Sequence, residues 1–141
     1  VSVKTFDKDV QEDARAISFN GKEPASVRLV AAFPSDLRSY VEKNGQLEML
    51  IKVDKAADAP LMLGMQCGEN CEGQFDIRER LADTAEWQTI SVNLACFADK
   101  GVNLAQVFSP WQLATDGAWQ VSIAHLSVGV TDNQELTNTC K

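Results

Sequence analysis

Residues 47–66 read LEMLIKVDKAADAPLMLGMQ, and the spacing of the apolar side chains in this stretch decides the fold class. Leu47, Met49, Ile51 and Val53 occupy alternate positions, with Glu48 and Lys52 between them. After a break that contains Pro60 the alternation returns at Leu61, Leu63 and Met65, which turns Gln66 outward. A period of two is the pattern of a half-buried strand, because successive side chains leave the backbone on opposite sides. Apolar residues that recur mostly at this period and in short runs mark half-buried strands rather than helices of three or more turns.

The same pattern spreads outward from this pair. Strands are expected over residues 14–19, 27–31, 47–53, 61–66, 89–94, 111–115 and 119–130, with a further N-terminal strand over 1–6. In the last long strand Trp119, Val121 and Ile123 share one parity, whereas Leu126, Val128 and Val130 share the other. One extra residue near Ala124 or His125 restores the register, so a β-bulge is expected there. Asn20-Gly21, Asn44-Gly45 and Asp116-Gly117 supply the positive φ values of tight turns, and Asp116-Gly117 reads as a hairpin. Short helical turns are expected at 36–42, where Leu37, Tyr40 and Val41 share a face, and at 76–81, where Ile77 and Leu81 do.

About eight strands without βαβ alternation point to an all-β, two-sheet antiparallel β-sandwich of the jelly-roll kind. One or two short helical turns complete it, and residues 1–141 form a single domain. The expected interior includes Leu29, Met49, Ile51, Leu63, Ile90, Val92, Leu113, Val121 and Ile123. The chain has 141 residues, of which 45% are hydrophobic and 23% charged, which is too apolar for disorder. A net charge of −7 argues against nucleic acid or an anionic membrane surface as partner. No stretch approaches the roughly 18 to 20 apolar residues of a membrane-spanning helix. The start at Val1, without Met or a leader pattern, is read as a boundary set either by processing or by where the segment was cut. Four cysteines fit an oxidising compartment, and the protein is expected to be periplasmic or secreted.

Hydrolytic chemistry needs a nucleophile with a base, paired carboxylates in a cleft, or a metal with an open position. The single imidazole, His125, falls at the expected bulge and reads as a packed or hydrogen-bonded residue. No phosphate-binding glycine loop or nucleophile elbow is present, so catalysis by this chain alone is not expected. Cys67 and Cys71, four positions apart at a strand end, lack the second ligand pair that zinc would want, which favours a small-loop disulfide. Cys96 and Cys140 remain as a second bridge, although four cysteines allow three pairings. Asp7, Asp9, Glu12 and Asp13 form an acidic cluster that reads as calcium oxygen ligands or as a solvated charged turn. Lys8 interrupts it, so no cofactor or metal is assigned and calcium stays an open alternative.

A sandwich binds sugar with an aromatic ring against the apolar face of a pyranose and with amide, carboxylate or guanidinium groups on its hydroxyls. Trp111 and Trp119 have core parity, while Trp87 is out of phase with Ile90 and Val92. Arg28, Glu48, Lys52, Gln66, Gln112 and Gln120 make an outward polar set that suits hydroxyl reading, as it would any solvated face. The candidate sugar-binding residues are Trp111, Trp87, Tyr40, Gln66 and Gln112.

Four stretches, taken in order, carry a resemblance. They are Gln11-Glu12-Asp13-Ala14 with Phe19-Asn20-Gly21; Asp36-Leu37 with Asn44-Gly45 and residues 47–54; Met65-Gln66-Cys67 with Cys71; and Trp87-Gln88-Thr89-Ile90 running into Leu94-Ala95-Cys96-Phe97, Gly101 and Pro110-Trp111-Gln112-Leu113. The chain resembles the C-terminal galactose-binding-like β-sandwich of ExoP type, appended to bacterial glycoside hydrolase family 3 exo-1,3/1,4-β-glucanases and β-glucosidases. That resemblance implies a galactose-binding-domain-like fold and a non-catalytic accessory domain, with the catalytic carboxylates in upstream domains. It makes β-glucan or gluco-oligosaccharide, together with those upstream domains, the expected partners. It also shifts Trp87 towards a framework role, while Trp111 and Trp119 are larger than the family pattern at their positions and Cys140 lies outside it. The alternative is a purely structural interdomain module that packs on the catalytic domains without binding sugar.

Overall fold

The computed structural model describes residues 1–6, 8–9, 13–30, 33–81 and 86–130. Among the described residues nine strands form two antiparallel sheets: β1 (Ser2–Phe6), β2 (Ala14–Ser18), β3 (Ala25–Leu29), β4 (Gln46–Lys55), β5 (Met62–Gly68), β6 (Cys71–Asp76), β7 (Gln88–Asn93), β8 (Ser109–Thr115) and β9 (Gln120–Gly129). The five-stranded sheet has the order β1-β2-β9-β4-β7, and the four-stranded sheet the order β3-β8-β5-β6. Two short helices, α1 (Arg38–Val41) and α2 (Leu94–Asp99), and a 3-10 turn at Arg78–Arg80 complete the described elements. The all-β sandwich expected from the alternation is the observed fold.

The alternation at residues 47–66 does what its period requires. Leu47, Met49, Ile51 and Val53 on β4 are buried together with Ile90 and Val92 on β7 and Val121 and Ile123 on β9. Leu61, Leu63 and Met65 meet them from the other sheet, with Leu113 and Trp111 on β8 and Phe75 on β6. Both core tryptophans place their indole donors: Trp111 Nε1–H reaches Met49 Sδ at 3.4 Å, and Trp119 Nε1–H reaches the Ala59 carbonyl at 3.0 Å. The expected bulge is present on β9. Glu48 and Leu50, two residues apart on β4, pair with Ser127 and Ala124, three apart on β9, and His125 in the extra position has φ +50°. Beyond it Leu126 and Val128 pack against the core again.

Four expectations are corrected. Asp116-Gly117 neither closes a hairpin nor adopts the expected positive φ, because β8 and β9 lie in different sheets and the turn carries the chain across the sandwich. The hairpin that forms instead is β5–β6, and β6 is a strand the alternation does not announce: its inward positions are Gly73 and Phe75, so glycine weakens the apolar signal, and Ile77 beyond it reads as part of a helical face. Leu94 starts α2 rather than ending a strand, because the Asn93 side chain accepts the Ala95 backbone N–H at 2.9 Å and caps the helix. Leu29 has inward parity opposite Trp111 but is 52% exposed, since β3 is an edge strand and the opposite sheet does not cover it. Ala31 lies outside the described residues.

Cys67 and Cys71 are joined in a disulfide across the β5–β6 hairpin, with their Cα atoms 5.0 Å apart and Asn70 in the left-handed region between them. Cys96 is also disulfide-bonded and buried, and Cys140 lies outside the described residues. Trp119 is buried and anchored through its indole. Trp119→Ala is therefore expected to lower stability by about 3 to 5 kcal/mol, read from urea unfolding followed by circular dichroism.

Candidate functional site on the four-stranded sheet

The outward polar set divides between two surfaces. Glu48, Lys52 and Gln120 lie on the five-stranded sheet, whose outward groups pair with one another: Lys52 Nζ stands 3.5 Å from Asp54, and Ser122 Oγ donates to Asp54 at 2.6 Å. Arg28, Gln66 and Gln112 come together on the four-stranded sheet. Arg28 on β3 pairs directly with Gln112 on β8, and Gln112 pairs on its other side with Gly64 on β5, two residues before Gln66. Alternation puts Ser26, Gly64, Gln66, Gln74 and Ala114 on the same outward face.

Arg28 Nη1–H donates to Gln66 Oε1 at 2.7 Å. Because β8 separates β3 from β5, this bond bridges over β8 beside Gln112. Gln112 is only 6% exposed, and its Oε1 is buried without a hydrogen-bond partner. An amide oxygen in that condition carries a desolvation cost of about 1 to 3 kcal/mol, which a hydroxyl donor would remove. Among the described residues two other buried side-chain oxygens, Gln46 Oε1 and Ser91 Oγ, share this condition, and both belong to the five-stranded sheet.

The other candidates are dispersed. Trp111 is 5% exposed and faces inward, with its indole donor used by Met49. Trp87 is half-buried on the side of the five-stranded sheet. Its ring stacks on Phe6 with centroids 6.2 Å apart, and the ammonium groups of Lys8 and Lys52 lie 5.2 and 5.4 Å from its centroid. Tyr40 is 37% exposed on α1. Sequence reading places Arg28 in the outward set without distinguishing it from Glu48 or Lys52, and it passes over Gly64 and Gln74. Gln74 is hidden because β6 is not expected as a strand; the alternation Gly73-Gln74-Phe75 is the available signal.

Of the acidic cluster, Asp7 and Glu12 lie outside the described residues. Asp9, Asp13 and His125 bring their ligand-type atoms within 4.8 Å of one another. His125 Nε2 hydrogen-bonds Asp9 Oδ2 at 3.1 Å, Lys8 Nζ approaches the same oxygen at 3.1 Å, and the Asp13 carboxylate accepts the backbone N–H groups of Lys8 and Asp9. The hydrogen bond from His125, and then that from Lys8, hold the Asp9 carboxyl below the usual carboxylate range. An imidazole in the donor set and an ammonium against the carboxylate suit calcium poorly, since that ion takes oxygen ligands alone.

The galactose-binding domain-like family Exop_C matches residues 1–128. The chain belongs to the Exop_C family. Among solved structures it is similar to the exo-1,3/1,4-β-glucanase ExoP from a Pseudoalteromonas species, with a TM-score of 0.74 and 20% identity over 93% of this chain and 16% of that one. The extra C-terminal domain of the same enzyme gives a TM-score of 0.70 and 22% identity, covering 93% of this chain and 72% of that domain. A family 30 carbohydrate-binding module of the cellulosomal cellulase Cel9D-Cel44B from Clostridium thermocellum gives 0.67 and 17% identity over 85% of this chain and 76% of that one. No curated protein matches the chain in sequence. This Exop_C domain therefore has the fold of a carbohydrate-binding module and spans about a sixth of the ExoP chain.

On the candidate face a Cβ added at Gly64 would meet the Gly73 carbonyl oxygen at 2.8 Å and Gln74 Cβ at 3.0 Å. Glycine is thus required for β6 to approach β5 at that point. Gly64→Ala is expected to cost about 1 to 3 kcal/mol by overpacking, measured as a lower midpoint in thermal unfolding.

Proposed function

We propose that this Exop_C domain is a non-catalytic, carbohydrate-binding accessory domain of a β-glucan-degrading glycoside hydrolase of family 3. In that role it holds β-glucan or a gluco-oligosaccharide on the outer face of the four-stranded sheet and positions it for upstream catalytic domains in an extracytoplasmic setting. The observation that carries this reading is the buried, unpartnered Gln112 Oε1 beside the Arg28–Gln66 bond. A glucan hydroxyl donates to that oxygen once the bond over β8 opens. The freed guanidinium and the Gln66 amide then take further hydroxyls, since guanidinium only donates and an amide does both. The similarity to the ExoP C-terminal domain supports the glucan and the family 3 parent, and the family 30 module supports a sugar-binding role for the fold.

Gln112→Leu tests this reading because it separates binding from folding. Replacing a buried, unsatisfied amide by an apolar group of similar size is expected to leave the melting temperature equal or higher. Affinity for soluble 1,3- and 1,4-linked β-glucans, measured by isothermal titration calorimetry, is expected to fall about five- to tenfold, the equivalent of one hydrogen bond. Arg28→Ala is expected to weaken binding similarly. Unchanged affinity in both variants would remove the site from this face. The structural interdomain module is the second reading, favoured by the exposed apolar side chains of Val1, Val3, Leu29, Val30 and Phe33. It requires that the intact domain bind no glucan at all.

A further inference from the structure

Beside the polar face the sandwich is open between its sheets. Ile17 and Ile123 from the five-stranded sheet, and Val27, Leu29 and Trp111 from the four-stranded sheet, wall a cleft of about 440 Å³. Sites for small organic ligands have volumes of about 300 to 1,000 Å³. Among the described residues β1 and β3 are edge strands, so inward-parity residues such as Leu29 and Val3 line this cleft rather than a closed core.

The mouth of this cleft is charged, with both signs present. Asp13, Arg15 and His125 stand on one side and Arg28 on the other. Their positions are built rather than incidental. The Asp13 carboxylate accepts the Lys8 and Asp9 backbone N–H groups at 2.7 and 3.0 Å, Arg15 Nη1–H donates to the Ala14 carbonyl at 3.1 Å, and the β9 bulge presents His125 to Asp9. Apolar walls below a rim of acceptors and donors suit a pyranose ring, whose C–H faces seek apolar surface while its hydroxyls both donate and accept. Arg28 borders the cleft and also donates to Gln66 on the polar face, so the two surfaces meet at β3.

We infer that this cleft is a chain-end subsite: it receives the terminal sugar of a β-glucan whose following units cross the outer face of the β3-β8-β5-β6 sheet. The inference rests on the glucan-binding reading above and deepens it, since a flat face alone would accept any internal stretch of polymer. Leu29 and Trp111 supply apolar wall, and Asp13, Arg15 and His125 read the hydroxyls of the terminal unit. The domain would thus hold glucan by its ends.

The test uses isotope-labelled protein titrated with laminaribiose and cellobiose, followed by the ring signals of His125, which is the sole histidine, and the indole N–H of Trp111. Saturable shifts at both are expected. Leu29→Glu changes an exposed side chain, so the melting temperature is expected to hold, while disaccharide affinity falls about fivefold or more as apolar wall is lost. Gln112→Leu is expected to weaken polymer binding and to leave the disaccharide shifts at His125 in place. If the disaccharides move the side-chain amides of Gln66 and Gln112 but neither His125 nor Trp111, and polymer still binds, the cleft assignment is overturned and the glucan-binding reading stands. If neither disaccharide nor polymer produces shifts or heat, both fall together.

Discussion

Trp111 on β8 and Met49 on β4 meet in the middle of the sandwich, the indole N–H directed at the thioether sulfur. This contact joins an inner strand of one sheet to an inner strand of the other. The remaining architecture depends on that closure, because neither sheet can bury its apolar face alone and each uses the other as its cover. Once the two faces are pressed together, every outward position of β3, β8, β5 and β6 is committed to the surface. The polar character of those positions then becomes a property of the whole face rather than of separate residues.

Both sheets keep buried side-chain oxygens without a donor, Gln46 Oε1 and Ser91 Oγ on the larger and Gln112 Oε1 on the smaller, and the two faces differ in the polar groups that stand beside them. On the larger sheet Lys52, Asp54 and Ser122 form a local network. On the smaller sheet Arg28 and Gln66 reach across an intervening strand to each other, and Gln112 beside them keeps a buried amide oxygen without a donor. A side chain of that kind makes the free state slightly less stable than a leucine would. Its presence is intelligible where a ligand supplies the missing donor, and this is the point at which binding and stability pull in opposite directions.

The open side of the sandwich follows from unequal strand coverage. Among the described residues β1 and β3 have no further strand beside them, and the inward residues near those edges line a cleft instead of a core. The bulge at His125 sits at the mouth of this cleft. A residue inserted into β9 to restore the alternation of Leu126 and Val128 is also the one that brings an imidazole to Asp9. The exposed apolar residues of this side serve a sugar ring in one reading and a neighbouring domain in the other, and the glutamine face is the part that distinguishes them.

The sequence by itself determined the strand class, the inward set of β4, β5, β7, β8 and β9 and the bulge near His125, and it favoured the Cys67–Cys71 bridge that the structure contains. Each depends on spacing along a single segment: a period of two, one phase change, or two thiols separated by a short turn. Tertiary structure alone decided the partners of those segments. Asp116-Gly117 has the chemistry of a hairpin and instead joins two sheets without adopting positive φ, because turn residues permit a local conformation and do not choose which strand lies alongside. Leu29 has core parity and is half-exposed, because parity names a face and only packing determines whether anything covers it. Gln66 and Gln112 stood in the outward set from the start, whereas their meeting with Arg28 depends on β8 lying between β3 and β5. Strand order arises from contacts distant in sequence, and no local pattern carries it.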